Sequence, residues 1–405
     1  MKKYNIPFSP PDITEDEINE VIDTLKSGWI TTGPKTKELE RRLSEFTTTP
    51  KTVCLNSATA ALELVLRVLG IGEGDEVIVP AMTYTASCSV IYHVGAKAVI
   101  VDIQKDGHEM DYEALENAIT EKTKAVIPVD LAGIPCNYDK IFEVVNAKKS
   151  LFKANSEYQE KLGRIAVVAD GAHALGSVYK GVKVGAVADF TTFSFHAVKN
   201  FTTAEGGSVT WKENPNFDDE ELYKEFQIYS LHGQTKDALA KTKAGSWEYD
   251  IVIPGYKCNM TDIMASIGLV QLDRYPKLLE RRVELVEQYN KAFEGTRVVP
   301  LVHYTDTYKS SGHLYITHIK GATYEQRGEI ITKMAERGIS CNVHYKPLPL
   351  LTAYSNLGFD IKDYLNAYDY FVNEVTLPLH TRLSDEDVKV IVENFKEIVA
   401  EVVGE

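Results

Sequence analysis

Lys199 stands in "FSFHAVKNFTTAEGG", residues 193–207, between a Ser-Phe-His run and a tail of small residues ending in two glycines. A lysine amine attacks carbonyl carbons once burial or a neighbouring cation lowers its pKa. Its aromatic and small neighbours make Lys199 as readable as a nucleophile as it is as a solvated charge. Asp170 ends the apolar run "RIAVVAD", and His173 follows three residues on in "VVADGAHALG". A carboxylate at the end of a covered strand is costly unless a cation meets it, and open α/β sheets place ligands at that end. An Asp-Gly turn fits the same residues. An Asp-x-x-His metal pair does too, but no third ligand follows in pattern. In "NSATAAL" a strand ends near Asn56 and a helix opens at Ser57. The free N–H groups of that helix, with the Ser57 and Thr59 hydroxyls, make an anion site; the plainer reading is a serine N-cap.

An anion cradle, a strand-end carboxylate and a carbonyl-reactive lysine are together what pyridoxal 5'-phosphate requires. The carboxylate keeps the pyridine nitrogen protonated, and the lysine condenses with the aldehyde.

The elements that must position these residues alternate along the chain. Short Val/Ile/Ala runs ("TVCLN", "DEVIVP", "AKAVIVDI", "TKAVIPVD", "RIAVVAD") are each followed by a longer helical or polar pattern, as in a parallel sheet covered on both faces. "DFTTFSF" reads as a further strand that runs out at Ser194. Ahead of them, Thr14 and Glu17 form a capping box, with Ile13 and Ile18 placed as a staple and Ile18, Val21, Ile22 and Leu25 on one helical face. "WITTGP" reads as an extended segment or loop. "LFKANSEYQEKLG" is either an extension of the preceding helix or a surface insertion. "KTKAGSWEYD", residues 241–250, reads as a polar loop that contacts or covers substrate. From about residue 256 the style changes: a long helix over 261–293, a strand in "HLYITHI", a helix in "EQRGEIITKMAERG", a strand in "ISCNVHY" and a final helix from Ser384. Two domains are expected: residues 1–255, with the cofactor-binding sheet, and residues 256–405, a smaller α+β unit.

The 405 residues carry a net charge of −14 with no basic block, which argues against nucleic-acid binding. Five scattered cysteines without a Cys-x-x-Cys pair indicate reduced thiols, hence a cytoplasmic protein. No run approaches the ~20 apolar residues of a membrane span.

In these motifs and their order the chain resembles the DegT/DnrJ/EryC1/StrS sugar-nucleotide aminotransferases. "SGWITTGP", "NSATAALEL", "GDEVIVPAMTYTAS", "VVADGAHALG", "FSFHAVKNFTTAEGG", "PGYKCNMTDIMASIGLVQL" and "VHYKPL" carry the resemblance over nearly the whole length. It implies the fold of aspartate aminotransferase, with a mixed, mostly parallel seven-stranded sheet and a homodimer with shared active sites. It also implies that Lys199 holds the cofactor and shuttles protons, that Asp170 pairs with the pyridine nitrogen, and that His173 lies near the phenolic oxygen. Tyr84 would stack on the ring, and Ser57, Ala58, Thr59 and Ser194 would cradle the phosphate. "GYKCNM" resembles a segment lent to the partner's phosphate site; the family often reads Gly-x-Asn there, and of Lys257 and Asn259 the asparagine is favoured. His344 and Tyr345 would face the sugar, and Thr32 and Gly33 would border the pocket. Family members that deoxygenate sugars carry histidine in place of the lysine, so Lys199 favours amine transfer. "FHAVKNFTTAEGG" is similar to members acting at the sugar's 4-position. The implied reaction moves the amine of L-glutamate to a UDP- or dTDP-linked 4-keto-6-deoxy sugar. A sugar dehydratase and a non-catalytic cofactor-binding protein are the alternatives.

Overall fold

The computed structural model describes residues 4–236 and 248–404. Seven strands make the large sheet: β1 (Thr52–Leu55), β2 (Glu76–Pro80), β3 (Lys97–Val101), β4 (Thr123–Val126), β5 (Ala166–Asp170), β6 (Phe190–Ser194) and β7 (Gly207–Trp211), in the order β1-β7-β6-β5-β4-β2-β3. Only β7 runs antiparallel to its neighbours β1 and β6. The strands are apolar because both faces are covered. On β5, Val168 enters one hydrophobic cluster while Val167 and Ala169 enter another on the opposite face, the alternation that a period-two backbone imposes.

A second sheet follows: β8 (Val298–Pro300), β9 (Tyr315–Ile319) and β10 (Glu374–Leu377), all antiparallel in that order. It has its own core of Ile319, Val375, Leu377, Ile391 and Phe395. Ile6, near the N-terminus, packs into this core and bridges to Ile339. The helices used below are α1 (Glu15–Ser27), α2 (Pro34–Thr47), α3 (Ala58–Val68), α4 (Thr85–His93), α5 (Asp262–Phe293) and α6 (Asp385–Val403). Among the described residues no helix is long and apolar enough to cross a membrane, and all five cysteines are free thiols.

Three local expectations change. The capping box of α1 forms, but its apolar face turns outward: Ile13, Ile18, Ile22 and Leu25 are exposed while Glu17 and Thr24 are buried. Glu17 carries the reason. Besides closing the box with Thr14, it accepts Arg274 at 2.6 Å and Gln271 at 2.7 Å from α5, so the polar side of α1 is drawn onto the protein. "ISCNVHY" is not a strand. Ile339 pairs with Ile6 and Asn342 with Thr376, two partners in different places, so no ladder propagates. "LFKANSEYQEKLG" resolves into a separate short helix, Glu157–Leu162, capped by Ser156. Of the loop expected over 241–250, residues 241–247 lie outside the described residues.

Candidate active site

The carboxyl ends of the parallel strands converge on a cavity of about 510 Å³. β5 ends at Asp170. The chain after β4 brings Val129 and Asp130 alongside it through the bond from Asp130 N–H to the Asp170 carbonyl. β2 leads to Thr83 and Tyr84, which precede α4. Between β6 and β7 the chain makes an excursion over residues 195–206 that carries Lys199. Its base is closed by Phe195 N–H to the Gly206 carbonyl and by Thr203 N–H to the Phe195 carbonyl, both 2.9 Å. Phe195 and Phe201 are buried beneath it, edge to face at 4.7 Å. The two glycines have a steric reason. At Gly207 a Cβ would lie 2.3 Å from the Ala58 nitrogen, so only glycine lets β7 pass against the start of α3. Ser57 caps that helix by accepting Ala60 N–H at 3.1 Å.

Ten of the residues expected from the sequence line this one cavity: Ser57, Ala58, Thr59 and Ser194 on the α3 side, with Tyr84, Asp170, His173, Lys199, His344 and Tyr345 around the rest. Burial lowers the Lys199 amine to about 8, against the opposing pull of Asp170. Burial raises the Asp170 carboxyl, although the Ser87 hydroxyl at 2.6 Å and Ala172 N–H at 3.1 Å hold its two oxygens and Lys199 adds a favourable charge. Burial, helped by Lys199 and His344, keeps His173 neutral. The N–H of Ala132 donates to His173 Nδ1 at 3.2 Å, so the ring hydrogen sits on Nε2, 3.2 Å from the Tyr345 hydroxyl. A reactive amine, an under-compensated buried carboxylate, a fixed N–H donor and an open helix start in one cavity fit the aldehyde, ring nitrogen, phenolic oxygen and phosphate of pyridoxal phosphate.

Thr32 and Gly33 do not line this cavity. They are tied to the start of α5: Gly33 N–H donates to Asp262 at 2.8 Å, and Thr32 bonds the Met260 carbonyl and receives the Asn259 amide. Asn259 also lies outside the cavity, bonded by Lys257. Sequence reading missed Ser87, which fixes Asp170 and is itself 2.7 Å from Thr83. It also missed Asp130, His313 and Asn342 on the cavity wall. Burial raises Asp130 to about 7, although Cys136 N–H and the Tyr138 hydroxyl donate to it. Ser87 had a signal in "TYTAS", one helical turn after Tyr84. Asn342 and His313 arrive from distant segments with none.

With this geometry established, similarity to known proteins gives the lineage. A family profile, that of the DegT/DnrJ/EryC1/StrS aminotransferases, matches residues 11–396. The spore coat polysaccharide biosynthesis protein SpsC of Bacillus subtilis is 37% identical over 407 residues, covering 98% of each chain. Spr1654 of Streptococcus pneumoniae, assigned as a sugar aminotransferase and solved in PMP, PLP and apo forms, is 70% identical in its PMP form. That form superimposes with a TM-score of 0.96 over 98% of this chain and 100% of its own. Helicobacter pylori PseC, an aminotransferase of pseudoaminic acid biosynthesis, is 28% identical with a TM-score of 0.85, covering 98% of this chain and all of its own. The chain belongs to the DegT/DnrJ/EryC1/StrS aminotransferase family.

Proposed function

We propose that the protein is a pyridoxal-phosphate-dependent aminotransferase that moves the amine of L-glutamate to a nucleotide-linked 4-keto-6-deoxy sugar, giving a 4-amino sugar for polysaccharide synthesis. The observation that carries this reading is the pairing of Lys199, lowered to about 8, with a buried Asp170 in one cavity. When bound, the cofactor supplies a protonated ring that delocalises the electron pair left at carbon. Asp170 keeps the proton on the ring nitrogen. His173 Nε2–H orients the phenolic oxygen, and the N–H groups at Ala58 and Thr59, with the Ser57 and Ser194 hydroxyls, bind the phosphate. Tyr84, exposed to the cavity, covers the ring. The Lys199 Nζ takes the proton from the donor's α-carbon, and the reverse transfer in the second half-reaction delivers one to the sugar carbon. A base placed in this way contributes about 10²–10⁴ in rate.

His344 and Tyr345 form the sugar side of the cavity. Asn259, braced by Thr32, belongs to the site of a second subunit, and exposed Ile18, Ile22 and Leu25 give that subunit an apolar face to cover. The likeness to SpsC supports a polysaccharide pathway, and the sequence around Lys199 supports the 4-position. The test is a panel of UDP- and dTDP-linked 4-keto sugars incubated with glutamate and analysed by mass and by NMR at C3 and C4. A 4-amino product with 2-oxoglutarate is expected. An amine at C3, or release of ammonia without an amino sugar, would sink the assignment.

A further inference from the structure

His344 reaches the cavity wall with its ring held from behind. Its Nδ1 lies 2.9 Å from Thr376 Oγ1, and that hydroxyl lies 2.5 Å from Glu374 Oε1. The other carboxyl oxygen, Oε2, accepts the backbone N–H of His344 at 2.9 Å. Glu374 and Thr376 are both buried and sit two apart on β10, so they share one face of the strand. Phe8 stacks on the imidazole at 5.6 Å and 18°. His344 Nε2 has no hydrogen-bond partner among the described residues, and the residue lines the cavity.

A hydroxyl carries one hydrogen, so this chain has two consistent states. With Glu374 ionised, Thr376 donates to Oε1 and accepts from His344; the ring hydrogen is then on Nδ1, and Nε2 is an acceptor. With Glu374 protonated, the hydrogen sits on Oε1, because Oε2 is taken by the backbone N–H. Thr376 then accepts it and donates to Nδ1, and Nε2–H becomes a donor. We propose that Glu374 and Thr376 are positioning residues that set, through one shared hydroxyl, whether His344 presents a donor or an acceptor to the substrate. Passing from the second state to the first releases one proton. It leaves Nε2 for the cavity, while the Oε1 proton moves to Oγ1 and the Oγ1 proton to Nδ1.

Burial, with Lys199 nearby, lowers His344 to about 3, so the ring stays neutral and only its tautomer changes. Burial raises Glu374 to about 8, against Thr376, His344 N–H and Arg327, so the donor form holds at neutral pH. The groups facing Glu374 are Arg327, Cys341, Tyr345 and Tyr370, with His318 opposite it on β9. Those facing His344 are Lys199, His173 and His313. No arginine lines the cavity among the described residues, and a neutral N–H donor suits a substrate oxygen there.

The inference rests on the aminotransferase reading for the identity of the substrate, and the experiment separates the two. Holoprotein labelled with ¹⁵N-histidine, with His344 assigned through His344→Gln, is titrated by NMR from about pH 6 to about pH 10. In the wild type the hydrogen should move from Nε2 to Nδ1 with a midpoint near 8. Thr376→Val and Glu374→Gln should abolish the swing, and Thr376→Ser should restore it. A tautomer that stays constant in the wild type, or a swing that persists in Thr376→Val, overturns the relay. In the half-reaction with the nucleotide-linked 4-keto sugar, Thr376→Val should raise KM by about fivefold, the worth of one hydrogen bond, and flatten its pH dependence while kcat holds. A wild type that shows the swing but no half-reaction would end the aminotransferase reading and leave the relay standing.

Discussion

Lys199, half-buried, and Asp170, buried, feel each other's charge, and each has a separate support. Lys199→Ala should lower turnover by ~10²–10⁴, measured as single-turnover decay of the cofactor band with glutamate. Activity close to wild type would remove Lys199 from the chemistry. Asp170→Asn should retain most of the cofactor yet turn over slowly; an unchanged turnover number would argue against its role at the ring nitrogen. Ser87 gives a finer probe. Its hydroxyl donates to a buried carboxylate, and bonds to charged groups contribute about 1.5–3 kcal/mol. Ser87→Ala should therefore lower turnover by about tenfold, in the same direction as Asp170→Asn, read as single-turnover decay of the cofactor band with glutamate.

The α3 side of the cavity depends on two elements that approach too closely for any side chain. Gly207→Ala places a methyl group 2.3 Å from the Ala58 nitrogen, so β7 and α3 must separate, a strain of about 1–3 kcal/mol. Ser57→Ala removes only the cap, about 1 kcal/mol. Thermal melts should rank the glycine variant below the serine variant, and an equal ranking would mean that β7 gives way freely. The sequence made β5 and β6 legible, because an unbroken apolar run ending in Asp170 or Ser194 has few other readings. β7 was hidden: "GSVTW" is short and begins on the second glycine of a pair. α1 shows the opposite failure. Its periodicity was right, but the face that is buried was chosen by Glu17 meeting Arg274 and Gln271, which lie more than 250 positions away in the chain. Asp170, Ser57 and Ser194 were recoverable because they stand where strands run out, whereas Tyr84, His344 and Tyr345 were reached only through the family resemblance. Glu374 and Thr376 were not recoverable, because nothing in "EVTLPLH" announces a relay.

At the scale of the whole molecule, pH acts through buried histidines that do not line the cavity. Burial lowers His303 to about 3 and His380 to about 4. In the unfolded chain both take up protons below about 6.5, so the unfolded state binds more protons there and stability falls as the pH drops from about 6.5 toward those values. The urea midpoint should decline over that window, and His303→Gln should flatten the decline. The shared-site proposal has its own test. Co-expressed Lys199→Ala and Asn259→Ala chains leave one intact site per mixed dimer, so mixing should restore activity that neither variant has alone. Failure to complement would place Asn259 outside the chemistry. Finally, β7 is the single strand that joins β1 to the rest of the sheet, and its first residue abuts the helix start proposed for the phosphate. Occupancy there would act as a clasp on the sheet margin: amide exchange in β1 and β7 should slow when cofactor binds, even in Lys199→Ala, in which no covalent link can form.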